Sequence, residues 1–253
     1  MRYRTPYNRK MIKHYTLLYL SGLIFSLGLN SALATSISIN VYLKLKPNNK
    51  VASVIHDFNL FLDQHHIFST YHFKPFLMNY PLHNTLYLTE YKKEQVAEII
   101  KRVEALSTQQ KAIRLTSDKL IVSSTGYTML TIKNNKTLQL LSDTLVKTLA
   151  PLRDHEAFIP DWAAADKGRQ TLFNQVGSPN VQEFYNPHLS LLDPAHLNKN
   201  QQKRLRIQLE KLIHLYSKQH VLQKPALGEA IGVGIADDQG QIIKELAVFK
   251  LRP

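Results

Sequence analysis

The sequence predicts an α+β fold built as two similar lobes, each a mainly antiparallel sheet covered by helices, with the two sheets facing each other across a central cleft. Two observations predict it. Short strands with alternating apolar residues are interspersed with amphipathic helices along residues 35–253. In addition, one short pattern, a histidine followed two residues later by a hydroxyl residue, occurs once in each half of this region. Each copy lies in a short strand that precedes a helix, which indicates a pseudo-symmetric arrangement.

The first half begins with a strand over residues 37–45, where apolar residues alternate without a break. Apolar residues at three- and four-residue spacing then predict helices over 51–62 and 96–106. Between the two helices, residues 63–80 read as irregular, and a short leucine-rich run at 81–88 reads as a strand.

The second half is richer in strands and turns. The segment 151–181 contains Pro160, Gly168, Gly177 and Pro179, and its length favours a functional or lid loop over a simple connection. The other expected elements are strands at 112–116, 120–124 and 127–133 (the last two as a hairpin), a helix at 138–152, a strand at 186–192, a helix at 205–216, and a terminal hairpin of 230–236 with 241–251.

The N-terminal residues 1–34 have the organisation of a secretory signal peptide. Five basic residues and no acidic ones are followed by an apolar run from about Tyr15 to Leu29 and by Ala32-Leu33-Ala34. The apolar run is shorter than the ~20 residues that span a bilayer. We therefore expect cleavage after Ala34 and export to the periplasm or the medium of a bacterial cell, leaving residues 35–253 as a single bilobal domain without stable membrane association. An uncleaved membrane tether is the alternative.

Charge and cysteine content limit the partners. Leaving out the five basic residues of the leader, 27 basic and 19 acidic side chains remain, a net charge of +8. A basic surface favours polyanions such as RNA, nucleotides or anionic lipid, although it also occurs on ordinary exported proteins. The chain has no cysteine, which excludes disulfides and a lipoprotein anchor. Nothing in the sequence indicates an oligomer, and we expect a monomer.

The two motifs carry the chemistry. They are His83-Asn84-Thr85 in the first half and His188-Leu189-Ser190 in the second, 105 residues apart. Side chains of a strand alternate between faces, so His83 and Thr85 point the same way, as do His188 and Ser190. Two imidazoles and two hydroxyls facing each other would bracket a phosphate.

These motifs resemble those of the 2H phosphoesterases, and the group most similar is the bacterial 2′-5′ RNA ligase and cyclic phosphodiesterase group. The run Asn186-Pro187-His188-Leu189-Ser190-Leu191 is the most specific part, and the resemblance extends from Ile37 to the terminal hairpin. It implies a bilobal α+β fold with both motifs lining a central groove. It also implies hydrolysis or reversible formation of a 2′,3′-cyclic phosphate or a 2′-5′ phosphodiester in RNA or nucleotides.

In the mechanism that follows from this resemblance, one of His83 and His188 is the general base and the other the general acid, with the assignment left open. Thr85 and Ser190 hold the non-bridging phosphate oxygens. An unperturbed histidine titrates near pH ~6.5, so one neutral and one charged imidazole can coexist around neutrality. No metal or other cofactor is expected.

Several other residues have two interpretations each. Asp154-His155-Glu156 is either a metal-ligand set or, more often for such a run, a charged loop. The histidines His65, His66 and His72 are expected in solvent. Tyr87 alternates onto the face of His83 and could line the groove, and Tyr185 and Trp162 are candidates for stacking on a base; each is equally well explained by ordinary packing.

The helix over 199–220 has six basic residues, which are Lys199, Lys203, Arg204, Arg206, Lys211 and Lys218. They form either a stripe that binds a phosphate backbone or a solvated helix face, and the solvated face is favoured. The alternative function for the whole chain is a non-catalytic exported protein that binds RNA or nucleotides on the same fold.

Overall fold

A computed structural model describes residues 35–253, and the predicted leader, residues 1–34, lies outside the described residues. The strands are β1 (Ser36–Leu45), β2 (His83–Lys92), β3 (Ile113–Val122), β4 (Thr128–Ile132), β5 (His188–Leu192), β6 (Pro225–Ala236) and β7 (Ile242–Lys250). The α-helices are α1 (Lys50–Gln64), α2 (Ile67–Tyr71), α3 (Phe76–Asn79), α4 (Val96–Ser107), α5 (Lys136–Leu149), α6 (Lys167–Val176) and α7 (Lys199–Gln219). Within residues 35–253, no helix is both long enough and apolar enough to cross a membrane.

The strands pair in the order β2-β1-β6-β3-β4-β5, and β7 pairs with β6 beside this path. All pairings between these strands are antiparallel. The α+β fold class, with antiparallel sheet covered by helices, is confirmed.

Strand β3 belongs to both lobes. Its residues 113–116 pair with the start of β6, whereas residues 117–122 pair with β4. The register shifts between Ser117 and Leu120, where the strand changes partner. Here the Ser117 hydroxyl donates to the carbonyl oxygen of Leu222 at 2.6 Å, which gives that buried side chain a partner. One strand therefore joins the first sheet (β2, β1, β6 and β7) to the second (β4 and β5).

The long helices begin at asparagines. The side-chain oxygens of Asn49, Asn135 and Asn198 accept backbone N–H bonds in the first turns of α1, α5 and α7. Such caps satisfy donors that have no partner inside the helix. The helices then bury one apolar face each; on α5 that face contains Leu138, Leu141, Leu145 and Leu149.

Three sequence predictions need correction. The expected strands at 112–116 and 120–124 are one strand, β3, because the chain stays extended while its hydrogen-bonding partner changes. The stretch 63–80, expected to be irregular, contains α2 and α3. The stretch 151–181 contains α6, which Asp166 caps and which ends at Gly177, where φ is +75°. Glycine adopts this left-handed backbone without strain, so a residue read as a turn signal is a helix C-cap.

The two ends of the strand order, β2 and β5, come together in space. The side chain of Asn84, on β2, donates to the hydroxyl of Tyr185 at 3.0 Å, and that hydroxyl donates to the carbonyl oxygen of Thr85 at 3.1 Å. Tyr185 stands three residues before β5, so these bonds fasten the two motif strands to each other.

Candidate active site

Both motif histidines are the first residues of their strands, β2 and β5. His83 and Ser190 line one narrow cavity together with Tyr80 and Gln241. His188 is close enough for its charge to act on His83. The structure thus brings the histidine of the first motif and the hydroxyl of the second to one cavity, with the second histidine nearby.

The two imidazoles are held in the same way. His83 places Nδ1 2.8 Å from the carbonyl oxygen of Pro81, and His188 places Nδ1 2.7 Å from that of Asn186. A carbonyl oxygen only accepts, so Nδ1 carries the proton in each ring. Each neutral imidazole therefore keeps Nε2 as its basic atom, which is the arrangement that a general base requires.

Burial lowers the pKa of His83 and of His188. For His83, the carbonyl oxygens of Pro81 and Gly240 act in the opposite direction but do not cancel the burial. Hydrogen bonding to the Asn186 carbonyl acts in the same opposing way on His188. At neutral pH both imidazoles therefore favour the neutral form, which differs from the expectation of one neutral and one charged ring.

The hydroxyl of the first motif is paired with β1. Asn40 Nδ2 donates to Thr85 Oγ1 at 2.9 Å and to the carbonyl oxygen of Gly240 at 2.8 Å, and it lies 3.5 Å from His83 Nε2. The side chain of Asn40 is fully buried. It links the first motif to the turn between β6 and β7.

The hydroxyl of the second motif is paired with the residue before β4. Tyr127 donates its phenolic hydrogen to Ser190 Oγ at 2.5 Å. Gln241 Nε2 lies 3.4 Å from the oxygen of Tyr127 and donates to it. Each motif hydroxyl is thus an acceptor of a bond from a neighbouring side chain.

The segment 76–82 covers one side of the cleft. Phe76 meets the ring of Tyr127 edge-on, with centroids 6.5 Å apart, and Tyr80 lies near the carboxylate of Asp237. Burial and the Asp237 charge raise the pKa of Tyr80. Leu77 and Leu82 add apolar surface, so the cleft has an aromatic and apolar wall beside its polar motifs.

Tyr87 does not line the groove. The β1–β2 register shifts so that Val41 pairs with Tyr87 while Tyr42 pairs with Thr85, which leaves one extra residue in β2. Such a bulge interrupts the alternation of faces. The Tyr87 hydroxyl accordingly donates to the carbonyl oxygen of Val176, away from the cleft.

The two other aromatic candidates also lie elsewhere. Tyr185 is buried and bonded to β2 through its hydroxyl, so it braces the motif strands and offers no face to a base. Trp162 is 62% exposed, with the guanidinium of Arg169 5.4 Å from its ring centroid. It does not line the cavity between the motifs.

The charged loop at 154–156 makes ion pairs. Lys92 lies 3.3 Å from the carboxylate of Asp154 and 3.1 Å from that of Glu156, and the Ser36 hydroxyl donates to Asp154. Between Thr35 and Pro253, no three His, Asp or Glu side chains gather into a set that could hold a metal ion.

The remaining candidates are on the surface. The histidines His65, His66 and His72 are exposed, as expected. Five of the six basic residues of α7 are exposed as well, and Arg206 is paired with Glu210 at 3.7 Å.

Asn40, Tyr80, Tyr127 and Gln241 were not identified from the sequence. Asn40 follows Ile39 in an alternating strand, which places it on the face opposite the core. Only the pairing of β1 with β2 shows that this face belongs to the cleft. Tyr127 follows the turn glycine Gly126, a position that carries no signal for a site.

Neither a scan against models of protein families nor a search of curated proteins finds a match. Solved structures do match. The crystal structure of TT0787 of Thermus thermophilus is similar at a TM-score of 0.50 and 12% identity, over 85% of this chain and 98% of that one. The two share a fold. This likeness covers the whole bilobal arrangement described above.

Two further structures match at lower scores. Escherichia coli LigT complexed with NADP⁺ has a TM-score of 0.45 and 12% identity, covering 86% of this chain and 98% of that one. Kluyveromyces marxianus Usb1 has a TM-score of 0.46 and 12% identity, covering 85% and 97%.

Proposed function

We propose that this protein is a metal-independent phosphodiesterase of the 2H type, acting on a 2′,3′-cyclic phosphate or a 2′-5′ phosphodiester in RNA or nucleotides. One observation carries the proposal: His83 of the first motif and Ser190 of the second line one cavity, and both motif imidazoles are fixed by the same Nδ1 bond to the carbonyl oxygen two residues before them. Acid, base and phosphate donors are then all supplied by side chains.

In the hydrolytic direction, Nε2 of one histidine takes a proton from water as the water oxygen attacks phosphorus. The bond from phosphorus to the leaving ribose oxygen breaks, and the other histidine gives that oxygen a proton. For a 2′,3′-cyclic phosphate the product is a ribose phosphate monoester. The reverse sequence exchanges the two roles and forms the diester.

The lowered pKa values of His83 and His188 suit this chemistry. A buried neutral imidazole is ready as a base at neutral pH. The other imidazole must be protonated, and a bound phosphate anion stabilises that charge within a few ångströms of it. Substrate binding would therefore favour the protonated form of the histidine that acts as the acid.

Turnover of the mature chain on 2′,3′-cyclic nucleotides and on a 2′-5′ dinucleotide, with EDTA present, tests the proposal. We expect His83→Ala and His188→Ala each to lower kcat by about 10²-fold or more. The control is His72→Ala, because His72 is exposed and outside the cleft. A folded wild-type protein that binds nucleotides but converts none of these substrates would instead support the non-catalytic binding function.

We also propose export, from the basic and apolar pattern of residues 1–34. The mass of the protein recovered from outside the cytoplasm tests it. A mature N-terminus at Thr35 is the expected result, and recovery of the full-length chain in membranes would support an uncleaved tether.

A further inference from the structure

Each motif hydroxyl receives a hydrogen bond from a side chain outside its own motif. Thr85 Oγ1 receives one from Asn40 Nδ2 at 2.9 Å, and Ser190 Oγ receives one from the Tyr127 hydroxyl at 2.5 Å. A hydroxyl has one hydrogen to donate and lone pairs that accept. When protein groups occupy an accepting position, the hydroxyl's own hydrogen stays available for another acceptor.

The direction of the bond from Asn40 is fixed by a further partner. Asn40 also points its amide nitrogen at the carbonyl oxygen of Gly240, which can only accept, so the amide cannot be turned round without losing that bond. At Tyr127, the Gln241 amide donates to the phenolic oxygen, and the phenolic hydrogen points at Ser190. In both arrangements a neighbouring side chain donates a hydrogen bond to the motif hydroxyl.

We propose that Asn40 and Tyr127 are positioning residues that turn the hydroxyl hydrogens of Thr85 and Ser190 toward the substrate phosphate. This inference rests on the proposed phosphodiesterase function. The two residues act through the motif hydroxyls: the phosphate oxygens receive hydrogen bonds from donors already oriented before substrate arrives. Preorganised donors of this kind stabilise the charge that develops in a transition state.

The burial of Asn40 supports a functional reason for its presence. Its side chain is fully buried, and its oxygen Oδ1 has no hydrogen-bond partner. An unpartnered buried polar atom destabilises a fold. The amide is thus an unfavourable choice for packing alone. Its Nδ2, in contrast, donates two hydrogen bonds, one to Thr85 Oγ1 and one to the carbonyl oxygen of Gly240.

Tyr127→Phe is the main test, because it removes one oxygen and keeps the ring that meets Phe76. We expect kcat and kcat/KM to fall about tenfold, the effect of one lost directional hydrogen bond in the transition state. In a Ser190→Ala background the same substitution should have little further effect, since the hydroxyl it orients is gone. The matched control is Tyr216→Phe; Tyr216 packs against Phe58 on α1 and should leave kcat unchanged.

Asn40→Asp tests the first motif. A carboxylate in place of the amide would accept the hydrogen of Thr85 Oγ1 and would raise the pKa of His83 beside it. We expect kcat to fall about tenfold or more. We also expect the limb of the pH–rate profile that reports on His83 to move to higher pH, a change that a loss of folded protein would not cause. Circular dichroism shows whether the variant is folded.

The outcomes separate the two proposals. If the histidine variants lose turnover while Tyr127→Phe and a folded Asn40→Asp keep wild-type kcat, the positioning inference is wrong and the phosphodiesterase function stands. If the wild type turns over none of the substrates, binding of uridine monophosphate replaces turnover as the readout. If Tyr127→Phe then binds uridine monophosphate as weakly as Ser190→Ala does, the inference is supported. If Tyr127→Phe binds it with wild-type affinity, the inference is wrong.

Discussion

Gly232, on β6, lies directly against the ring of Tyr42 on β1, and a Cβ atom at position 232 would overlap that ring. Tyr42 in turn meets the imidazole of His83 edge-on, with ring centroids 5.3 Å apart, and donates its hydroxyl to Glu245 at 2.6 Å. The absence of a side chain at Gly232 is therefore what allows Tyr42 to lie across the sheet and support the first motif histidine.

Gly232→Ala is expected to lower the free energy of unfolding by about 1–3 kcal/mol, because Tyr42 or the strand must shift to admit the methyl group. Urea denaturation measures this. In a Tyr42→Ala background the same substitution should have a much smaller effect, since the obstructing ring is absent. An equal loss in both backgrounds would show that the cause is not the ring of Tyr42.

The stability of the protein is expected to fall as pH decreases below about 6.5, the pKa of an unperturbed histidine. The folded pKa values of His83 and His188 are lowered by burial, so the unfolded chain takes up these protons first and is favoured by acid. Urea denaturation at about pH 7.5 and about pH 5.5, on either side of that value, measures the change. The double variant His83→Gln, His188→Gln should show a smaller loss over this interval.

The control for that experiment is the double variant His66→Gln, His72→Gln. Both residues are exposed in the folded protein, so replacing them should leave the loss of stability close to that of the wild type. A double variant of His83 and His188 that loses as much stability as the wild type would contradict the assignment of the pH dependence to the cleft.

Tyr185→Phe is expected to lower the free energy of unfolding by about 1–2 kcal/mol, because it removes the bonds from Asn84 and to the Thr85 carbonyl. The Asn84 side chain is fully buried, so water cannot readily replace the lost partner. Thermal unfolding measures the effect. Tyr71→Phe, which loses a bond to Gln208 in a different part of the fold, is a comparison of similar chemistry. An unfolding temperature of Tyr185→Phe equal to that of the wild type would mean that the link between the motif strands adds nothing.

Thr85→Val keeps the size and branching of the side chain but removes the hydroxyl. We expect kcat to fall about 10- to 100-fold, with the fold intact, and Thr85→Ser to retain most of the activity because it restores the donor. Steady-state kinetics on a 2′,3′-cyclic nucleotide would measure both. Equal activity of Thr85→Val and wild type would remove Thr85 from the phosphate-binding group.

The strand alternation of residues 37–45 and the spacing of apolar residues on α5 predicted their elements well, because these signals are local. The pairing of His83 with Thr85 on one face was available for the same reason. The two interpretations of Tyr87 could not be separated, because a bulge depends on the partner strand, which the local pattern does not contain. Asn40 and Tyr127 were missed for a related reason: each acquires its importance from a residue 45 or 63 positions away.

The shared strand β3 has a mechanical consequence. Its first residues are hydrogen-bonded within one lobe and its last residues within the other. Rotating one lobe against the other would twist a single extended chain and break ladder bonds at the point where it changes partner. The strand is therefore expected to resist rotation of one sheet against the other and so to hold the two motifs at a nearly constant separation. A ligand entering the cavity would then meet a rigid frame on the side of the sheets, and the segment 76–82, which lines the same cavity, is the part expected to shift.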